Sequence, residues 1–138
     1  MGKSWIENSL ILAFLLFITG AILNFILGLG LSLFGVKGSF INDLGFLLIA
    51  YMLGFFYTRK TNQVMPKGLR LKIISLFFLI YIIITFLITY FITSAGFIVV
   101  FFLVAFASFF IIIECLVIYW IFGFVGKTYL KNMNKSIN

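Results

Sequence analysis

The sequence predicts an all-α fold: a polytopic membrane protein, a bundle of four transmembrane helices with both termini in the cytoplasm. Three observations lead there. Of 138 residues, 64% are hydrophobic and only 9% charged, where a soluble domain carries about 25% charged residues. A compact body of that composition has too little polar surface to face water. The apolar residues gather into four long runs divided by short polar or glycine-containing breaks. When all four runs cross a barrier, nine of the ten Lys and Arg residues fall on one side of it. Residues 1–138 then form one domain, with no length left for a soluble module.

The runs cover residues 6–34, 40–57, 71–92 and 97–125. A span needs roughly 20 residues at about 1.5 Å each. The second run is near that minimum, and the first and fourth exceed it, so they are expected to tilt or project into the headgroups. Each must be helical, because lipid offers the backbone no hydrogen-bond partner. Gly35 and Gly38 flank Lys37 in the first break. Residues 59–70 form the one substantial loop and hold the only proline, Pro66, with Gly68 two positions on, a helix-breaking pair. Residues 93–96 are so short a link that the last two runs form a tight antiparallel hairpin. The first run follows Lys3 but is about twice the length of a signal-peptide core and lacks a small-x-small cleavage site.

Charge sets the orientation. Lys3, the loop residues Arg59, Lys60, Lys67, Arg70 and Lys72, and the tail residues Lys127, Lys131 and Lys135 share one side, opposite Lys37. Basic residues favour the cytoplasmic side, which places the loop and the tail, residues 127–138, there. An odd number of spans would destroy this segregation. Trp5, Tyr57, Trp120 and Tyr129 fall near the same side, where amphipathic rings anchor at headgroup level. The simplest role of Arg59, Lys60, Lys67, Arg70, Lys72, Lys127 and Lys131 is to fix topology and attract anionic headgroups. No recognition fold presents them to nucleic acid.

Few positions carry chemistry. The chain has no histidine and a single cysteine, Cys115, which removes the commonest general base and metal ligand and any CxxC redox pair. No metal or cofactor site is expected, and the protein is read as a non-enzyme. The 20 Phe residues, with many Ile, Lys and Asn, match the codon usage of an AT-rich genome. Glu114 lies inside the fourth run, about 20 Å from Lys127 along the helix. An acidic residue near mid-bilayer costs about 2.5–3.5 kcal/mol on the insertion scale, so it is expected to face the bundle interior. It is a proton or cation site, a partner-binding point, or a neutral Glu hydrogen-bonded between helices. Counting depth from Trp5, Lys72 and Lys127 puts Thr19, Thr85 and Glu114 in one polar layer, and Asn24, Thr89 and Ser108 in a second. Asp43 is expected to cap the start of the second run or, as the alternative, to face Lys37. Gly20, Asn24, Gly28 and Ser32 recur every four residues, a small-residue face that lets another helix approach closely. Gly45 and Gly54 do the same more weakly, and Cys115 is a small packing residue.

The chain differs from three families of similar size. The small multidrug transporters carry their essential Glu in the first span, whereas here Glu114 is in the fourth. The four-span glutathione-dependent enzymes need an Arg inside a span, and the membrane thiol oxidases need a CxxC. The long first run, the basic Pro-containing middle loop from Arg59 to Lys72 and the ending Gly126-Lys127-Thr128-Tyr129-Leu130-Lys131 resemble the small four-span inner-membrane proteins of Acinetobacter and related bacteria. That resemblance implies a bacterial inner membrane and carries no activity or site residues. In size, charge and lack of catalytic groups the chain also resembles membrane immunity proteins that guard bacteria against pore-forming toxins. The expected role is therefore intramembrane contact with another membrane protein, a membrane-active toxin or a second copy, as an immunity or accessory subunit. The alternative is a small transporter or channel subunit with Glu114 as coupling carboxylate. Reporters fused to the two termini are expected to read the same, cytoplasmic, compartment; opposite readings would exclude an even number of spans.

Overall fold

The computed structural model describes residues 8–33, 44–93 and 96–137. It contains four helices, α1 (Ser9–Leu33), α2 (Leu44–Thr61), α3 (Lys67–Thr93) and α4 (Phe97–Ile137). Three of them, α1, α3 and α4, are long and apolar enough to cross a membrane. α2 is 18 residues long and closes on Thr58, Arg59, Lys60 and Thr61, so its apolar part alone is short of a bilayer's thickness. The residues expected to begin that run, 40–43 with Asp43 among them, lie outside the described residues, as do Lys3, Trp5 and the Gly35–Gly38 break.

Local chemistry marks the helix ends. The Asn8 side chain caps α1, its Oδ1 accepting from the Leu10 amide at 3.0 Å, as an N-cap residue does. α2 stops because Asn62 adopts a left-handed conformation, φ 52°, while its amide donates to the Thr58 carbonyl at 2.8 Å. Asn is the non-glycine residue that best tolerates this C-terminal geometry. Arg59 and Lys60 occupy the last turn of α2, where cations offset the helix dipole. The Pro66 carbonyl accepts the Arg70 amide at 3.0 Å, so Pro66 opens α3 without losing a bond. α3 thus begins at Lys67 rather than Leu71, and the basic loop shortens to Asn62–Pro66. α4 also departs from expectation. It runs unbroken past Val125 to Ile137, making the tail a helical extension.

The helices form a four-membered ring in the order α1, α2, α4, α3. α1 and α4 each pack mainly on α2 and α3 and lie diagonally opposite one another. Gly54 meets Phe122 and Val125, and Thr58 meets Gly126, so α2 and α4 run parallel. Phe86 meets Phe97, ring centroids 5.5 Å apart, while Arg70 meets Tyr119, so α3 and α4 form the antiparallel hairpin expected of their short link. The α2–α3 loop therefore joins two diagonal helices. It folds inward to do so: Met65 is 1% exposed, a burial worth about 1.5–3 kcal/mol relative to water.

The core is small and aromatic. Phe17 from α1, Phe46 from α2, and Phe77 and Tyr81 from α3 interlock with centroids 5.2–6.2 Å apart, the spacing at which edge-to-face rings attract. Most other rings point outward. Phe102 is 68% and Phe106 71% exposed, an apolar coat that suits lipid and would aggregate in water. Tyr57, near the basic end of α2, is 5% exposed and turns into the bundle, because it shares the inward face of Gly54 and Thr58. Trp120 is exposed and stacks on Phe124, ring centroids 4.8 Å apart.

Gly20 sets how closely α1 and α2 approach. A Cβ there would overlap the Phe46 ring. Gly20→Leu is therefore expected to destabilise the bundle by about 1–3 kcal/mol through overpacking. Gly28→Leu, where a Cβ meets nothing within 4 Å among the described residues, should stay within about 0.5 kcal/mol of the parent. Equilibrium unfolding in mixed micelles reads both, and equal midpoints for Gly20→Leu and the parent would contradict this α1–α2 approach.

Candidate functional site

Among the groups singled out in the sequence, two sets gather, one at a cleft between α1 and α3 and the other at the basic end of the bundle. The cleft has a volume of about 490 Å³ and is lined by Phe17, Ala21, Asn24, Phe25, Gly28 and Leu29 of α1, Phe46 of α2, and Tyr81, Ile84, Thr85 and Ile88 of α3. It exists because α1 and α3 run parallel over the aromatic core while large side chains are missing at Ala21 and Gly28. The rings of Phe17, Phe46 and Tyr81 close its inner end.

Asn24 has a defined job. Its Oδ1 accepts the backbone amide of Gly45, one helix away, at 2.6 Å. Gly45 lies in the first turn of α2, where backbone N–H groups have no partner within their own helix. In hydrocarbon such a group is costly, so α1 supplies a cap from outside the helix. Gly45 is required for this, since a Cβ there would overlap the Asn24 amide. Among the described residues, Asn24 Nδ2 has no acceptor, which leaves two donors beside the cleft. Thr85 and Tyr81 add hydroxyls. The arrangement is neutral and mixed, able to hydrogen-bond a polar group carried on an apolar body.

The polar layers predicted by counting depth assemble differently. Asn24 and Thr85, assigned to separate layers, share the cleft. Thr19 donates to the Leu15 carbonyl of its own helix, and Ser108 likewise to Val104 at 2.7 Å. Ser108 lines a separate groove of about 540 Å³ with Ile82, Phe86 and Phe101. Glu114 is half-buried, with Oε1 shielded from solvent, and lines neither the cleft nor this groove. Its neighbours Ile112 and Cys115 face Ser75 and Phe78 across the α3–α4 seam, so it lies roughly 13 Å along the axis from Thr85. Counting missed this because Lys72 and Lys127 do not mark one plane. Arg70 already reaches Gly123, which leaves Lys127 beyond the level of Lys72.

The small-residue face of α1 divides in two. Gly20 and Asn24 are used inside the bundle, against Phe46 and Gly45, while Gly28 looks onto open cleft. Gly45 packs on Asn24 and Gly54 on Phe122, as helix-packing positions should. At the basic end Arg59, Lys60, Lys67, Lys72, Lys127 and Lys131 are exposed, whereas Arg70 is half-buried. Its Nε donates to the Met65 carbonyl at 2.9 Å, and its guanidinium lies 5.0 Å from the Tyr119 ring centroid. The sequence held a signal for this contact in Tyr119 and Gly123, a ring and a gap one helical turn apart.

The chain matches no protein-family model, no curated protein and no solved structure. The geometry must therefore carry the functional reading. Asn24→Leu keeps the branched skeleton but removes the acceptor, leaving the Gly45 amide unsatisfied at about 1–3 kcal/mol. The variant is expected to lower the unfolding midpoint and to speed hydrogen exchange at Gly45 before other amides of α2. Unchanged exchange at Gly45 would show that Asn24 is not its cap.

Proposed function

We propose that this protein crosses a bacterial inner membrane four times, with both termini in the cytoplasm, and works by intramembrane contact with another membrane protein as an immunity or accessory subunit. The observation that carries this reading is the open Gly28 wall of the α1–α3 cleft. Small residues along a helix face serve close helix approach, and the lower half of this face, Gly20 and Asn24, is already engaged inside the bundle. Gly28 is the part that no described residue covers.

The cleft suits a helix of the partner. Phe25, Leu29 and Ile88 supply apolar rims, while Asn24 and Thr85 offer hydrogen bonds to one polar side chain on the incoming helix. Such bonds contribute about 0.6 kcal/mol on average between membrane helices, so shape supplies most of the affinity and the polar pair fixes register. For an immunity protein the partner is the pore-forming toxin, held as a helix before it assembles. Glu114, outside the cleft, is structural on this reading.

Gly28→Leu tests the proposal because it fills the cleft while leaving the fold alone. It should abolish protection against the cognate toxin, or co-purification of the partner, with unfolding unchanged. A photoreactive residue at position 28 should give one protein adduct that disappears in a Thr85→Trp background. Full protection with Gly28→Leu, or adducts only to lipid, would sink the reading, and an adduct of two copies would replace partner binding by self-association. Glu114→Gln should leave protection intact; its loss, with folding retained, would move the function to that carboxyl.

A further inference from the structure

We propose that the seam between α3 and α4 binds one anionic phospholipid, with its phosphate on Arg70 and an acyl chain in the groove below. The groove has a volume of about 270 Å³ and is lined by apolar atoms of Leu71, Ile74 and Phe78 on α3 and Ile112, Leu116 and Tyr119 on α4, with Ser75 at its edge. The α4 positions recur every three or four residues, and Gly123 is the next step of the same stripe. A Cβ at Gly123 would overlap the Arg70 Nη1, so the missing side chain makes room for the guanidinium at the mouth of the groove.

Arg70 is held there from two sides. Nε is fixed by the Met65 carbonyl at 2.9 Å, and the Tyr119 ring supports the guanidinium at 5.0 Å, a cation–π geometry. With Nη1 resting against Gly123, the guanidinium is a pre-set fork, the planar shape that recognises phosphate. Among the described residues no carboxylate pairs with Arg70. Lys67 precedes it by one turn of α3, and Lys127 follows Gly123 by one turn of α4, adding positive charge at the same end. Beyond Phe78 the seam continues into the apolar groove around Ile83, Phe86 and Phe101, so an acyl chain meets a path along the helix pair. A charged mouth over a narrow apolar channel matches a phospholipid. A second helix, about 10 Å wide, would place backbone and not phosphate against Arg70.

The full-length protein in detergent, stripped of lipid and mixed with phosphatidylglycerol or phosphatidylcholine, provides the test by native mass spectrometry. One phosphatidylglycerol should be retained per chain at collision energies that remove phosphatidylcholine. Arg70→Gln should reduce that retention about tenfold, and Arg70→Lys, which keeps the charge and loses the fork, by less. Ser75→Phe, which fills the groove from an exposed position away from Arg70, should reduce it to a similar extent with an unchanged circular dichroism spectrum. Equal retention of the two lipids, or parental retention in Ser75→Phe, would overturn the site. So would displacement of the lipid by millimolar inorganic phosphate, or retention of a second polypeptide on the seam in its place.

Discussion

Lipid chains are as apolar as leucine, so the solvent does not push these helices together. What joins them must be fit and internally satisfied polar groups, and both are concentrated where α1 meets α2. Gly20 admits the Phe46 ring, and one turn along, Asn24 takes the Gly45 amide. The first contact sets the distance and the second sets the register, since an amide at the start of α2 finds Asn24 at only one offset. Phe46, once seated, is the hub on which Phe17, Phe77 and Tyr81 close. The remaining helices inherit their positions from this pair.

The ring order follows from how the basic end of the bundle is closed. A loop as short as Asn62–Pro66 usually joins neighbours, yet here it crosses a diagonal. Met65 plugs the end of the bundle, and Val64 lies against Gly126, so the loop acts as a small core of its own. With α2 and α3 held apart, α4 slots between them, and its glycines face what it meets there: Gly126 faces Thr58 and Gly123 faces Arg70. The same crossing makes neighbours of α1 and α3, which run parallel, and the cleft opens between them.

Much of this was legible in the sequence, and the limits have physical causes. Apolar run length and charge segregation are one-dimensional signals, and the helix count and the α3–α4 hairpin follow from them. Contacts between helices are not. Asn24 reads as a small-face residue because nothing in α1 shows that an amide of α2 will arrive beside it. Arg70 reads as one headgroup cation among several because its use depends on a ring and a gap some fifty positions later. Counting residues from the charged ends assumes that every helix enters the membrane at one level, and the offset between Lys72 and Lys127 breaks that assumption. Caps such as Asn8 and Asn62 were open to discovery, but polar residues beside long apolar runs read first as boundaries.

The unbroken α4 has one more consequence. In a coiled tail Lys127, Lys131 and Lys135 would sample all directions; on a continuous helix, four residues apart, they form a single ridge. A ridge has a side. Drawn to a negatively charged leaflet, it resists rotation of α4 about its own long axis, and that torque is carried through rigid backbone to residues deep in the bilayer. The azimuth of the phenylalanine-rich face is thereby held from the basic end, by charges that never enter the hydrocarbon.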